Sequence, residues 1–452
     1  MKKIVIILVL LATMCLYSQH KIQIIGVDDS VNEYSVEDIT NITFEFESRT
    51  LAIVMTSDNE MAEMELDNES SITFDSENIT LMGVNSSEKF ELSKLTSIEF
   101  EEINIENKYP FGELTVDEII VDNLINPWGI DFLDKDNLIF TEISGRLYKH
   151  NLKNGKSVSI TGLPKIKSVG QGGLLDVTLH PDFDENGFVY LAYTVEKDNR
   201  YTTAIGRGKL VGDELIDFEE LFRGSPLLEG GNHFGSRIVF DNDNMLYFSI
   251  GERGRQENAQ DSTNHLGGVL RLHDDGTIPN DNPYLDAPGA QPEIYTMGNR
   301  NIQGMFYLSE RDEIWAIEHG PKGGDELNLI EGGENYGWPL ATFGINYNDT
   351  PITDKTSIPG YKDPITYWVP SIAPCGMDMV NYDEAKNEID IIIGTLSSSH
   401  LHRIKVKDYK VTETVRSLEG YARFRDVQMS PDGYLYAATQ NPGRIIRLKA
   451  KN

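Results

Sequence analysis

The chain has 452 residues, of which 39% are hydrophobic and 25% are charged, and its formal net charge at pH 7 is −32. A chain this long and this apolar can bury a sizeable core, so its composition excludes an intrinsically disordered protein. The negative charge argues against a nucleic-acid partner, because phosphates require a basic protein face. We therefore expect a globular protein in which any cluster of arginines is conspicuous.

The first nineteen residues, MKKIVIILVLLATMCLYSQ, combine two lysines, a short apolar run and a small residue, Ser18, near the end. This pattern predicts a signal peptide over residues 1–19 and an exported protein that is periplasmic, cell-surface or secreted. Lipid attachment at Cys15 is the alternative, although Met14 is a poor residue to precede a lipidated cysteine. Once the signal is removed Cys375 has no second cysteine to pair with, so no intrachain disulfide is expected.

Residues 20–105 form an acidic segment that repeats itself three times. The repeats are YSVEDITNITF, MELDNESSITF and FELSKLTSIEF, which end at Phe44, Phe74 and Phe100. Apolar and polar residues alternate and each repeat closes on Ile-x-Phe, which predicts short strands that stack over a shared buried face. The segment carries no cluster of catalytic residue types. We expect a small β module with a spacer or docking role, followed by a boundary in the polar stretch 104–110.

Residues 111–452 contain a longer repeat, in which an apolar strand leads through an Asp/Asn/Gly turn to a second apolar strand. Six copies begin near Pro127, Gly173, Gly235, Ile302, Cys375 and Arg425. Each leaves room for two further strands, and helical periodicity is almost absent. The sequence therefore predicts an all-β fold, a six-bladed β-propeller in which residues from Leu114 pair with the terminal RIIRLK to close the ring. A β-sandwich is the alternative.

Loops at one end of a propeller channel converge, so residues beside different innermost strands can meet. His233 in GGNHFGSR and Gln171 in GQGGLLDV lie at such positions, and a histidine is the commonest proton acceptor in enzymes. Arg300, Arg423 and Arg425 also lie there. Because guanidinium groups bind carboxylates and phosphates bidentately, the sequence predicts a pocket for an anionic ligand.

The run EHGPKGGDE from Glu318 suggests a metal site beside this pocket. Glycine and proline leave backbone carbonyls free, and Glu318, Asp325 and Glu326 add oxygen ligands of the kind calcium prefers. An ordinary turn is the competing interpretation.

Several separated motifs together resemble a known family, the soluble quinoprotein glucose dehydrogenases and the related bacterial aldose sugar dehydrogenases. They are GQGGLLDVTLHPDF, NHFGSRIVF, NRNIQGM, EHGPKGGDELN, NYGWP and FRDVQMSPDG, spread over about Leu114 to Leu448. Members of that family are six-bladed propellers that use pyrroloquinoline quinone (PQQ) and calcium. The resemblance implies oxidation of the anomeric carbon of aldose sugars to lactones, with electrons passing to an external acceptor. The sequence does not define the oligomeric state.

The resemblance also implies roles for the candidate residues. His233 would be the general base for the C1 hydroxyl, Gln171 would orient the sugar, and Arg300 would contact the cofactor and polarise its reactive carbonyl. The remaining implied contacts are Asn301 with the cofactor, Arg423 and Arg425 with PQQ carboxylates, and the main-chain oxygens of Gly320 and Pro321 with calcium.

The chain departs from the family pattern at two positions. Asn232 stands where the glucose dehydrogenases have an aspartate before the base, and Ser397 stands where they have a cofactor-binding lysine. Because that cation is lost, one alternative function is a non-catalytic propeller that binds carbohydrate or protein and has a decayed cofactor site. A calcium-dependent lactone hydrolase is another, because six-bladed propellers also carry that chemistry.

Overall fold

The structure is a computed structural model that describes residues 108–451 and nine shorter segments before them: 21–25, 31–35, 41–43, 50–56, 61–66, 71–74, 78–82, 87–91 and 95–102. The chain divides into two compact units, Met1–Asn107 and Lys108–Asn452. The predicted signal peptide, residues 1–19, lies outside the described residues. No helix among the described residues is long and apolar enough to cross a membrane.

In its described residues, the first unit has nine short antiparallel strands. They are β1 (Lys21–Ile25), β2 (Val31–Ser35), β3 (Asn41–Thr43), β4 (Thr50–Thr56), β5 (Met61–Leu66), β6 (Ser71–Phe74), β7 (Asn78–Met82), β8 (Ser87–Glu91) and β9 (Leu95–Glu102). They pair as β1-β2, β3-β6-β7-β8 and β5-β4-β9. The second and third repeats end in β6 and β9, as the alternation predicts. The predicted shared buried face of these repeats lies outside the described residues.

The second unit is the predicted six-bladed β-propeller, which the structure confirms. Its strands are β10 (Leu114–Val121), β11 (Pro127–Asp134), β12 (Asn137–Glu142), β13 (Arg146–Asn151), β14 (Lys156–Ile160), β15 (Leu174–Leu179), β16 (Phe188–Lys197), β17 (Arg200–Val211), β18 (Glu214–Arg223), β19 (Ile238–Phe240), β20 (Met245–Ile250), β21 (Gly268–His273), β22 (Ile302–Leu308), β23 (Glu313–Glu318), β24 (Asp325–Ile330), β25 (Thr366–Trp368), β26 (Pro374–Asp383), β27 (Glu388–Thr395), β28 (Leu401–Lys407), β29 (Lys410–Ser417), β30 (Arg423–Met429), β31 (Leu435–Gln440) and β32 (Arg444–Ala450). One short helix, α1 (Phe183–Asn186), and three 3-10 turns, Gln256–Gln260, Ser309–Arg311 and Glu384–Lys386, complete the unit.

Five blades have four strands and the third blade, β19-β20-β21, has three. This differs from the prediction of four strands in every blade. After β21 the chain runs through a stretch with four prolines, Pro279, Pro283, Pro288 and Pro292. Proline has no backbone N–H to donate to a strand ladder, so a fourth strand does not form there.

The sixth blade closes the ring by joining the two ends of the propeller sequence. Its order is β10-β32-β31-β30, and β10 pairs antiparallel with β32 from Leu114↔Ala450 to Val121↔Ile445. This is the predicted pairing. The C-terminal strand β32 has no free edge, because it pairs with β10 on one side and with β31 on the other.

Four aspartates link the innermost strands of neighbouring blades. Each carboxylate accepts a backbone N–H from the next blade: Asp131 from Leu179 at 2.8 Å, Asp176 from Ile238 at 2.9 Å, Asp378 from Met429 at 2.6 Å and Asp426 from Ile130 at 2.9 Å. Each of these bonds crosses from one blade to the next and gives a buried backbone donor its acceptor. We call these four residues the aspartate ring, and it fixes the spacing of the innermost strands around the channel.

Arg237 lies at the centre of the channel and contacts most of the blades. Its guanidinium pairs with Asp176 and Asp426, both at 2.9 Å, and stacks over Trp128 at 4.1 Å. It also donates to the backbone oxygens of Gln303 and Arg425. The side chain is only 5% exposed. Arg237 therefore separates the channel into two ends, one of which holds the predicted site residues.

Candidate active site

A cavity of about 300 Å³ opens at the end of the channel where the innermost strands begin. Gln171, Arg423 and Arg425 line it together with Phe234, His319 and Gln440. Loops before β15, β19 and β26 and the first residues of β30 therefore converge on one space, as expected for a propeller.

His233 lies beside this cavity and pairs with a buried glutamate. Its Nδ1 is 2.9 Å from Oε1 of Glu252, whose side chain is 1% exposed. The other carboxylate oxygen of Glu252 accepts the backbone N–H groups of Gly254 and Arg255. Because the carboxylate is an acceptor in all these contacts, Nδ1 carries the hydrogen and Nε2 of His233 keeps a free lone pair. The imidazole is thus in the form that can accept a proton.

The backbone of the His233 loop is held in an unusual conformation. His233 has φ 54°, in the left-handed region, which costs a non-glycine residue about 1–2 kcal/mol. Its N–H donates to Oε1 of Gln171 at 2.8 Å, and the N–H of Gly235 donates to Oδ1 of Asn301 at 3.1 Å. A Cβ on Gly251 would lie 2.3 Å from the carbonyl oxygen of His233. The predicted residues Gln171 and Asn301 therefore position the loop that carries the histidine.

Arg253 braces the same loop from the opposite side. Its guanidinium donates to the carbonyl oxygens of Gly230 at 2.7 Å, Asn232 at 2.8 Å and Tyr201 at 2.6 Å. It also lies 3.7 Å from the ring of Phe234. Burial lowers the pKa of Arg253 to about 10, so the side chain is still a cation at neutral pH. Two charge-assisted hydrogen bonds to this loop and one to β17 make Arg253 a support that ties the His233 loop to the neighbouring strand.

Two arginines face the cavity without a carboxylate partner. Within residues 108–451 neither Arg423 nor Arg425 forms an ion pair; Arg423 donates to the carbonyl of Leu396 at 3.0 Å and Arg425 to Oε1 of Gln440 at 3.0 Å. Nε of Arg425 is buried without a hydrogen-bond partner. Burial and then the proximity of Arg425 lower the pKa of Arg423. Two adjacent, uncompensated cations, one with an orphaned donor, are suited to an anionic ligand.

Arg300 contacts the loop that was predicted to hold calcium. Its Nη1 donates to the carbonyl oxygens of His319 at 2.9 Å and Gly320 at 3.1 Å, and its side chain lies 5.4 Å from the ring of Trp338. One lone pair of the Gly320 oxygen is therefore already in use. Within residues 108–451, no group of three or more His, Cys, Asp or Glu side chains is placed to hold a metal ion.

The acidic residues of the EHGPKGGDE run serve the backbone. Glu318 accepts Nδ2 of Asn299 and the N–H of Arg300, and Asp325 accepts the N–H groups of Gly320, Ile372 and Ala373. Burial raises the pKa of both carboxyls and that of Glu326. These contacts fix the loop around Gly320 and Pro321.

The two departures from the family pattern lie at the rim of the site. The main-chain oxygen of Asn232 is taken by Arg253, and the hydroxyl of Ser397 donates to the carbonyl of Ser371 at 3.1 Å. Ser397 therefore places a neutral hydroxyl at the rim. The cationic side chains that line the cavity are those of Arg423 and Arg425.

Sequence reasoning missed three residues that shape the site: Glu252, Arg237 and His319. Glu252 lies two residues after the end of the apolar strand β20, and an acid at that position is a signal that could have been used. His319 is half-buried at the cavity and its Nε2 lies 2.7 Å from the carbonyl of Pro374. Burial, then Arg300 and Arg425, lower the pKa of His319 to about 3, so it is neutral and donates from Nε2.

The fold is a six-bladed propeller with a histidine–glutamate pair and two arginines, without carboxylate partners among the described residues, at the mouth of its channel. These features define the class of protein as a propeller that binds a ligand or catalyses a reaction at that mouth. The family model described as Glucose / Sorbosone dehydrogenase matches residues 124–447. The chain belongs to this family.

Individual relatives cover the same part of the chain. The aldose sugar dehydrogenase YliI of Escherichia coli (strain K12) is 39% identical over 344 residues, which is 74% of this chain and 93% of the relative. The crystal structure of the soluble aldose sugar dehydrogenase from Escherichia coli, in the apo form, has a TM-score of 0.71 at 38% identity and covers 75% of this chain and 100% of that one. The PQQ-bound aldose sugar dehydrogenase from Streptomyces coelicolor has a TM-score of 0.63 at 29% identity and covers 75% of this chain and 98% of that one.

Proposed function

We propose that the protein is a PQQ- and calcium-dependent dehydrogenase that oxidises the anomeric carbon of aldose sugars to lactones. The reaction removes a proton from the C1 hydroxyl and a hydride from C1, and the two electrons pass on to an external acceptor. The names of the relatives support the substrate class and the cofactor. The observation that carries the proposal is the His233–Glu252 pair beside a cavity with two uncompensated arginines.

His233 acts as the general base in this proposal. Because Glu252 holds the hydrogen of Nδ1, the lone pair of Nε2 accepts the proton of the C1 hydroxyl. The imidazolium that forms is stabilised by the buried carboxylate of Glu252, which lies 2.9 Å away. Gln171 and Arg253 hold the loop so that this nitrogen keeps one position. Gln171 would also orient the sugar.

The residues of the cavity fit an anionic planar cofactor. Arg423 and Arg425 would bind its carboxylates, and the orphaned Nε of Arg425 gains an acceptor when they do. Arg300 and Asn301 would contact the cofactor from the side of the His233 loop. When bound, the quinone supplies the acceptor for the hydride that leaves C1.

Calcium would depend on main-chain oxygens and on the cofactor. Gly320 and Pro321 would supply two carbonyls, of which the Gly320 oxygen keeps one lone pair beside Arg300. A hard cation prefers such oxygen ligands. Bound there, it would polarise the cofactor as a Lewis acid.

A cofactor titration tests this function. Metal-stripped protein is titrated with PQQ and calcium, and the reduction of the cofactor is followed spectroscopically as a panel of aldoses is added. Reduction by an aldose is the expected result. No cofactor binding at micromolar concentration would contradict the proposal and favour a non-catalytic binding propeller.

The substitution His233→Ala tests the base. We expect turnover to fall by about 10²–10⁴-fold, with unchanged PQQ binding, because the proton acceptor is lost while the arginines remain. The matched control is His273→Ala, a histidine at the end of β21, which should leave turnover unchanged. Retained turnover in the His233 variant would remove it from the base role.

A further inference from the structure

Two buried histidines lie behind the wall of the cavity. His400 is 1% exposed and His402, on β28, is 4% exposed. Their facing nitrogens, Nε2 of His400 and Nδ1 of His402, are 3.4 Å apart. Neither residue lines the cavity, and neither has a part in the proposed chemistry.

The two histidine rings belong to a chain of hydrogen bonds, and their partners determine the direction in which each bond is donated. Nε1–H of Trp368 donates to Nε2 of His402 at 3.3 Å, so His402 carries its hydrogen on Nδ1 and donates it to Nε2 of His400. His400 then carries its hydrogen on Nδ1, 3.2 Å from Oγ1 of Thr395. Oγ1 of Thr395 in turn donates to the carbonyl of His400 at 2.7 Å. Every donor has an acceptor only while both rings are neutral.

This chain connects two segments of the cavity wall. Trp368 ends β25, next to the segment 369–373, and Thr395 ends β27, next to Leu396. The two segments are joined by backbone bonds from Leu396 to Ala373 at 2.9 Å and from Ser397 to Ile372 at 3.2 Å. The carbonyl of Leu396 accepts Nη1 of Arg423 at 3.0 Å. The histidine pair therefore supports the wall that orients one of the two free cations.

The hydrogen-bond chain has no acceptor for a proton added between the two rings or towards Trp368; a backbone hydrogen bond to Ser398 favours the charged form of His400 only. Doubly protonated imidazole is a donor at both nitrogens, so His400 and His402 would then present N–H groups to each other or to Trp368. The charged groups that face the pair are Arg416, which disfavours the added charge, and Glu419, which favours it at His400. An unsatisfied donor inside a buried wall destabilises that wall.

We infer that His400 and His402 are positioning residues that hold Arg423 for the anionic cofactor only while both are neutral, so that acidification loosens the wall and weakens cofactor binding. The part that concerns the cofactor rests on the proposed function. Burial, followed by His400 and Arg416, lowers the pKa of His402 to about 4, and burial lowers that of His400. The effect is therefore expected on the acid side of the ordinary histidine range.

Hydrogen exchange of the cofactor-free protein tests the wall. After correction for intrinsic exchange, amides in a peptide covering residues 395–400 should lose protection at least tenfold between pH 7 and pH 4.5. In the variant His402→Phe an aromatic ring still packs against Trp368 but cannot be protonated, and a proton added to His400 no longer faces the N–H of a second histidine, so protection should change less than threefold. The control is His150→Phe on β13, a buried histidine of another blade, which should behave as the wild type.

PQQ titration in the same pH range tests the consequence for the cofactor. The dissociation constant of the wild type should rise at least tenfold from pH 7 to pH 4.5, and that of His402→Phe should rise less than threefold. Protonation of the ligand affects both proteins equally. Parallel profiles of wild type and variant, in exchange or in binding, would overturn the inference. Absence of PQQ binding at every pH would overturn the proposed function and the cofactor part, whereas exchange still decides the role of the histidines in the wall.

Discussion

At the scale of single residues, the orientation of His233 depends on groups far from it in sequence. Glu252 fixes which nitrogen carries the hydrogen, Gln171 binds the backbone N–H, and Arg253 holds the preceding carbonyls. A general base is effective only when the correct nitrogen faces the substrate. The arrangement therefore assigns Glu252 a role as important as that of the histidine.

The substitution Glu252→Gln tests that role. An amide can donate to Nδ1 and so favour the opposite tautomer, which leaves Nε2 protonated and unable to accept the sugar proton. We expect turnover to fall about 10²-fold or more while PQQ affinity changes little, as measured by steady-state kinetics and cofactor titration. Glu257→Gln, an exposed acid in the following 3-10 turn, is the control. Equal turnover in both variants would show that the carboxylate does not direct the proton.

At the scale of strands and blades, buried polar contacts connect neighbouring innermost strands. The aspartate ring ties four pairs of neighbouring innermost strands, and Arg237 joins residues of several blades at the axis. The four aspartates do not line the cavity, whereas Arg237 contacts three residues that do: it donates to the carbonyls of Gln303 and Arg425 and stacks over Trp128. The aspartate ring and Arg237 therefore fix the spacing of the innermost strands.

Replacement of Arg237 by methionine should be strongly destabilising. The variant leaves Asp176 and Asp426 buried without their cation, and breaking a buried pair in this way costs about 3–5 kcal/mol. Chemical denaturation measures the free energy of unfolding. The control is Arg223→Met, whose partner Glu220 lies on the surface, and it should have a far smaller effect. Similar losses in the two variants would contradict the role of Arg237.

The aspartate ring also predicts how stability depends on pH. Burial raises the pKa of Asp378 to about 7, above its ordinary value of 3.8. The folded state therefore binds the proton more tightly than the unfolded state, so this stabilisation is present below about pH 4 and is lost as pH rises towards 7. The carboxyl of Asp378 accepts the N–H groups of both Met379 and Met429, and an amide has only one acceptor oxygen for them, so we expect Asp378→Asn to lower the melting temperature. We also expect this variant to show a flatter decline of the melting temperature between pH 4 and pH 7. Asp383→Asn, on the surface, should keep the wild-type slope; equal slopes in all three proteins would refute the prediction.

At the scale of the whole propeller, stability depends on a strand contributed by the end of the chain. β32 lies between β10 and β31, and Ile446 on it is fully buried among residues of the sixth blade. Closure makes the ring one cooperative unit, because removal of β32 would expose the edges of both β10 and β31.

An alanine pair on β32 tests this closure. Ile446→Ala removes buried methyl groups and should lower the free energy of unfolding by about 2–5 kcal/mol. Lys449→Ala, three residues along the same strand and exposed, should leave it nearly unchanged. Thermal and chemical unfolding followed by circular dichroism measure both variants. A negligible effect of Ile446→Ala would mean that the closing strand contributes little to stability.

The sequence by itself determined the propeller, its six innermost strands and the pairing that closes the ring, because strand alternation and turn residues are local and are repeated six times. It also indicated His233, Gln171, Arg423 and Arg425, since loops at one channel end must converge. It missed the three-stranded third blade, whose prolines were not weighed. Only the tertiary structure showed that Glu252 pairs with His233, that Arg237 connects several blades at the axis and that His400 and His402 lie together behind the wall of the cavity. These roles depend on burial and on partners from other strands, and neither quantity is encoded in the spacing of residues along the chain.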